Sequence, residues 1–102
     1  MTKQILVATI PAAEGKASEL EAALQVLVAA AEEEEGLEVY AVAVDDTSSV
    51  FHFFEVYENA EALAAHGRGD RMKSSMRALG GLLGAAPKVT QLRPVAAKGV
   101  AF

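Results

Sequence analysis

Two titratable side chains stand out by type and by the company they keep. Residues 51–66 read Phe-His-Phe-Phe-Glu-Val-Tyr-Glu-Asn-Ala-Glu-Ala-Leu-Ala-Ala-His. Phe51 to Tyr57 has the aromatic content of a strand, and alternation puts Glu55 on one face with Phe51, Phe53 and Tyr57. Asn59 is a good N-cap for a helix carrying His66 on its inner side. An imidazole titrates near neutral pH, so His66 could accept a proton or a hydrogen bond from something held against the aromatic strand. The plainer role is a helix-end histidine satisfied by a backbone carbonyl or by Glu55. A buried Glu55 needs a partner, and an arginine or histidine is the more common answer than catalytic use. Tyr40 and Tyr57 can donate hydrogen bonds or stack on a flat ring, or else sit in the core with satisfied hydroxyls. Met72 and Met76 suit either an adaptable pocket wall or ordinary core packing. His52 falls on the other face of the strand, away from Glu55.

The elements that must position these groups can be read along the chain. Lys3 to Ile10 is an apolar run bounded by Pro11, a first strand. From about Gly15 to Glu35 the period becomes helical, with Leu20, Leu24, Leu27, Val28 and Ala31 on one stripe. Gly36 is expected to end that helix as a left-handed C′ residue. The run Glu32 to Glu35 lies at the negative end of the helix dipole, which is unfavourable. Leu37–Val44 and Val50–Tyr57, joined by Asp45-Asp46-Thr47-Ser48-Ser49, read as a hairpin. A helical region runs from Ala60, breaks near Gly67-Arg68-Gly69 and resumes at Asp70. Met72, Met76, Leu79 and Leu83 form its expected buried stripe, and Gly84 and Pro87 its stop. Lys88 to Val95 is a fourth strand, and residues 96–102 are a tail. The order βαββαβ predicts an α+β, ferredoxin-like domain spanning 1–102 with its core at about 3–95: a four-stranded antiparallel sheet with two helices on one face.

The second face of that sheet should be polar if it meets water. Instead Ile5-Leu6-Val7-Ala8, Val39 to Val44 and Phe51 to Tyr57 are apolar on both sides. A homodimer packed through the open sheet face would cover them, and His52, Phe54 and Val56 would belong to that interface. Hydrophobic residues make up 52% of the chain, more apolar surface than so short a sequence needs for itself. No cysteine is present, which removes disulfides, thiolate nucleophiles and Cys-ligated metals. Two histidines far apart in sequence propose no metal site. No apolar run approaches the roughly 20 residues of a membrane helix, and the start lacks the pattern of a secretory leader, so a cytoplasmic location without membrane is expected. The net charge of −5 conceals a division: residues 1–61 hold 13 of 14 acids and only two bases, whereas residues 62–102 hold Asp70 against seven bases. The overall sign and the lack of a basic-aromatic platform argue against a nucleic-acid role. Arg68, Arg71, Lys73 and Arg77 read first as a solvated face opposing the acidic half, and second as a basic pocket mouth for an anionic ligand.

Several segments in order resemble the antibiotic biosynthesis monooxygenase (quinol monooxygenase-like) family of dimeric α+β barrels. They are Gly15-Lys16, Glu34-Glu35-Gly36-Leu37 with Tyr40, Glu55-Val56-Tyr57, Ala62-Leu63 with His66, and Met72-Lys73. The resemblance implies a pocket between sheet and helices in each subunit of a homodimer. It implies oxidation of a small aromatic or quinol by O2 with no cofactor, the substrate being its own electron source. On that footing His66 would bind or deprotonate a phenolic hydroxyl with Glu55 beside it, and Phe51, Phe53, Tyr57, Tyr40, Met72 and Met76 would hold the ring. Where the haem-degrading branch of the family has an Asn, a Trp and a haem-ligating His, this chain has Ala8, His66 and Met76, so haem chemistry is not expected. The anthrone-oxidising branch faces its substrate with an Asn and a Trp, and Phe53 and Tyr57 stand at those places. Two other outcomes remain open: an isomerase of a phosphorylated small molecule, of the autoinducer-processing type, with the basic cluster holding phosphate, and a non-catalytic dimeric small-ligand-binding protein.

Overall fold

Alternating apolar runs rich in β-branched and aromatic residues become the central strands, and the leucine stripe becomes the helix that covers them. The computed structural model describes residues 3–102, with their side chains except those of Arg68, Asp70, Arg71 and Met72. In chain order the elements are β1 (Gln4–Pro11), α1 (Ala17–Ala30) with a 3-10 turn (Ala31–Glu33), β2 (Leu37–Val44), β3 (Val50–Tyr57), α2 (Ala60–Arg68), α3 (Asp70–Leu79) and β4 (Lys88–Leu92). The strands form an antiparallel sheet in the order β2-β3-β1-β4. This is the ferredoxin-like α+β plan, with the second helical region divided in two.

Register decides which side chains look at the helices. Leu6, Ala8 and Ile10 pair with Glu55, Phe53 and Phe51, and all six lie on the covered face. Ala8, Ile10, Phe51 and Phe53 pack with Leu20, Leu24 and Leu27 of α1 and Leu79 of α3 as the main core. Leu20 and Leu24 are wholly buried, and truncating either to Ala would cost about 2–5 kcal/mol. On the opposite face Val7 pairs with Phe54, and Phe54 with Ala41.

The structure corrects several sequence expectations. The first helix ends at Ala30, and a 3-10 turn takes the chain out. Gly36 is not the left-handed cap; the glycines with positive φ are Gly15 and Gly99. Its role is spatial, because a Cβ there would stand 2.5 Å from the Cβ of Ala62 on α2. The third helix stops at Leu79, where Gly80-Gly81 gives up helix propensity. Leu83 is therefore not on that helix. It bridges Ala12, while the amides of Ala13 and Gly84 donate to the carbonyls of Leu82 and Pro11. The last strand ends at Leu92 rather than Val95, two residues before Pro94.

Candidate functional site

Between the sheet and the helices lies a cavity of about 430 Å3. Leu6, Ala8 and Ile10 of β1, Tyr40 of β2, and Phe53, Glu55 and Tyr57 of β3 form its floor. Leu27, Leu63, His66, Met76 and Leu79 come from the helices, and Pro87 and Val89 close one side. The lining is almost entirely hydrocarbon and aromatic, at a volume that suits one small ligand.

The histidine is placed by ordinary local rules. Asn59 Oδ1 accepts from the Ala62 amide at 2.9 Å, capping α2 and fixing its start. His66 then lies one turn beyond Ala62 on the same helix face. Gly36 touches Ala62, and the Glu58 amide donates to the Gly36 carbonyl at 2.8 Å, so the segment leading into β2 is pressed against α2. Two residues before Gly36, Glu34 reaches His66, with Oε1 2.7 Å from Nδ1. A carboxylate only accepts, so Nδ1 carries the proton, a tautomer assigned from the partner. The His66 side chain is 8% exposed, and its buried Nε2 has no hydrogen-bond partner among the described residues.

A second polar pair lies beside the first. The Tyr57 hydroxyl donates to Glu55 Oε1 at 2.6 Å, both groups buried. Burial holds Glu55 above the usual carboxylate range, with the Tyr57 hydrogen bond and the nearby His66 opposing that rise. Burial first, then the bond to Glu55, pushes the Tyr57 phenol up, and burial with the Glu55 and Glu34 charges does the same to Tyr40. Both phenols therefore stay protonated. The Tyr40 ring lies 4.9 Å from Phe53 and 5.5 Å from His66, and Tyr57 lies 5.4 Å from His66, centre to centre. The arrangement is a cluster of rings around one imidazole that has a free acceptor nitrogen.

Among the residues singled out from sequence, His66, Glu55, Phe53, Tyr57, Tyr40 and Met76 all line this cavity. Phe51 has the expected face but lies farther along β3, in the core with Leu20 and Leu24 and outside the cavity. The Met72 side chain lies outside the described ones, as do those of Arg68 and Arg71. Lys73 and Arg77 are exposed and do not contribute to the wall, and Arg77 donates to Ser74 Oγ. Among the described residues, the hydrogen-bond partner of Glu55 is Tyr57, not an arginine or histidine, and that of His66 is Glu34, not Glu55 or a carbonyl. Glu34 is the group that sequence reasoning missed, because one acid in a run of four looks solvated. Its signal was the glycine two residues on, which brings that segment against α2. Among the described residues, no group of three or more His, Cys, Asp or Glu side chains could hold a metal ion.

The family model described as antibiotic biosynthesis monooxygenase matches residues 4–78. No curated protein matches the sequence. Among solved structures, the chain is similar to PA3566 from Pseudomonas aeruginosa, at 33% identity over 94% of this chain and 97% of that one, with a TM-score of 0.84. It is similar to a candidate antibiotic biosynthesis monooxygenase from Caulobacter crescentus, at 30% identity over 93% and 92% of the two chains, TM-score 0.86. Rv0793 from Mycobacterium tuberculosis, 22% identical over 94% and 98%, shares the fold with a TM-score of 0.85. The chain belongs to the antibiotic biosynthesis monooxygenase family.

Proposed function

We propose that this protein is a cofactor-independent monooxygenase that oxidises a small phenol or quinol with O2 in the cavity beneath His66. The observation that carries the reading is the buried Nε2 of His66, unpartnered among the described residues, in a largely apolar, ring-lined cavity. A phenolic hydroxyl entering there would donate to Nε2 and then yield its proton to it. The resulting phenolate is electron-rich enough to reduce O2 directly. For a quinol, one oxygen atom becomes a ring hydroxyl and the other leaves as water with two of the substrate's hydrogens; the ring ends as a hydroxyquinone, so all four electrons that reduce O2 come from the substrate. Tyr40 and Phe53 would hold the flat substrate, and the apolar walls would exclude water from the oxygen adduct.

The described lining holds a carboxylate and no lysine or arginine, so the phosphorylated-ligand reading draws no support from it. We also infer a homodimer through the open sheet face. Oxygen uptake by metal-stripped protein with reduced menadione tests the activity. Uptake should exceed that of buffer and fall about 100- to 10,000-fold in His66→Ala. Uptake no faster than buffer across a panel of quinols and phenols, with the ligands still bound, would leave a binding protein in its place.

A further inference from the structure

We propose that Glu34 is the positioning residue of the site: it locks the His66 imidazole in the tautomer that turns a bare Nε2 lone pair to the cavity. The inference rests on the reading of His66 as the proton acceptor, and it adds a group that lies outside the cavity lining. Free imidazole favours the proton on Nε2, the opposite of what a base facing the cavity needs. Glu34 reverses that preference by accepting from Nδ1 at 2.7 Å. The arrangement is costly without a ligand. An acceptor buried without a partner loses its hydration, about 1–3 kcal/mol, and nothing among the described residues recovers it. Rotating the ring to satisfy Nε2 would break the bond to Glu34, so the carboxylate holds the imidazole in the orientation a donor ligand requires.

The same pair accounts for where the charge goes. When Nε2 takes a proton, an imidazolium forms in a nearly apolar cavity. Glu34 then faces it on the Nδ1 side, and Glu55 lies close enough for its own titration to feel His66. Tyr40 and Tyr57 pack against the ring as neutral phenols and supply no countercharge. The phenolate left in the cavity is paired with a cation that Glu34 holds in place, and no proton has to cross the apolar wall.

The tautomer can be read without turnover. In 15N-labelled protein, long-range proton–nitrogen correlations report which imidazole nitrogen carries hydrogen, and the sequence holds only one other histidine, His52, to separate. Wild-type His66 should show a protonated Nδ1 and a bare Nε2, and 1-naphthol should perturb the Nε2 resonance most. Glu34→Leu should move the proton to Nε2. Glu34→Gln keeps a carbonyl oxygen for Nδ1 and should retain the wild-type tautomer. With a turned-over quinol, Glu34→Leu should lose about 10- to 100-fold in kcat with KM little changed, and Glu34→Gln should recover part of that loss. A wild-type Nε2–H tautomer, or one that does not change in Glu34→Leu, overturns the positioning role. The expected tautomers in a protein that consumes no O2 would instead uphold Glu34 and overturn the oxygenase reading.

Discussion

Glu55 shows how a single residue in this cavity reports on its surroundings. The residue is 8% exposed and its carboxyl accepts from a tyrosine hydroxyl, and burial raises its pKa above the ordinary 4.5. A carboxyl with a raised native value binds more protons folded than unfolded. Stability therefore falls as pH climbs from about 4.5 to the native value, and levels off above it. Each unit of rise corresponds to about 1.4 kcal/mol lost across that window. Glu55→Gln keeps an acceptor for Tyr57 and removes the titration, so its urea midpoint should stay flatter over the same pH range. Parallel profiles for the two proteins would mean that Glu55 is ionised as easily folded as unfolded. At this scale the sequence was legible where period alone decides direction. Strand alternation put Phe53, Glu55 and Tyr57 on one face, and the Asn59 cap set the phase of the helix that carries His66. It was illegible for the partners. Glu34 follows the 3-10 turn, where the rotation that turns one of four glutamates inward is not that of the preceding helix. The Tyr57–Glu55 bond joins neighbours two apart along a strand, a pairing that alternation permits but does not require.

At the scale of elements, the distance between Glu34 and His66 is set by how closely the chain entering β2 approaches α2. Gly36 makes that approach possible, and its φ is not positive, so the demand is for space rather than for backbone freedom. Gly36→Ala would place a methyl group 2.5 Å from the Ala62 Cβ, forcing the segment and the helix apart. Overpacking of this kind costs about 1–3 kcal/mol, and it should also lengthen the Glu34–His66 contact and reduce quinol oxidation. Adding Ala62→Gly removes the clashing methyl at a helix-propensity cost of about 1 kcal/mol. The double variant should regain activity beyond what the two single variants predict, read as a coupling energy in urea unfolding and as turnover. Strictly additive effects would show that the two positions do not press on each other. The same contact explains why the glycine was misread as a helix cap: Gly just past a leucine stripe signals a stop, and only the folded chain reveals a neighbour. β2 and β3 were legible to the residue because their apolar runs have turn chemistry at both ends. α3 was placed too long, since Met76, Leu79 and Leu83 continue a helical spacing that Gly80-Gly81 interrupts.

For the whole molecule, the unresolved demand is the sheet face that carries no helix. Ala41, Phe54, Val7 and Thr90 form one row across all four strands, and a shallow depression of about 390 Å3 runs along Val7, Thr9, Ala43 and His52. One end of this face is already covered. Ile5 and Val56 are 2% and 0% exposed, and the C-terminal segment reaches the start of β1, where Lys3 Nζ donates to the Ala101 carbonyl at 3.4 Å. The other end keeps its apolar side chains at the surface, which is the arrangement expected of a surface that meets a copy of itself. A charge at the centre of such a row would meet its own symmetry mate across a two-fold axis, at a cost of several kcal/mol. Phe54→Lys should therefore turn a sedimenting dimer into a monomer at micromolar concentration. Phe54 points away from the cavity, between Phe53 and Glu55, which line it. The polar groups described at the site, Glu34, Tyr40, Glu55, Tyr57 and His66, belong to one chain, so the monomeric variant should still bind 1-naphthol at His66, with a dissociation constant within about threefold, or 0.6 kcal/mol, of the wild type. A variant that stays dimeric would place the interface on another surface. A monomer that no longer binds would mean that the partner completes the cavity.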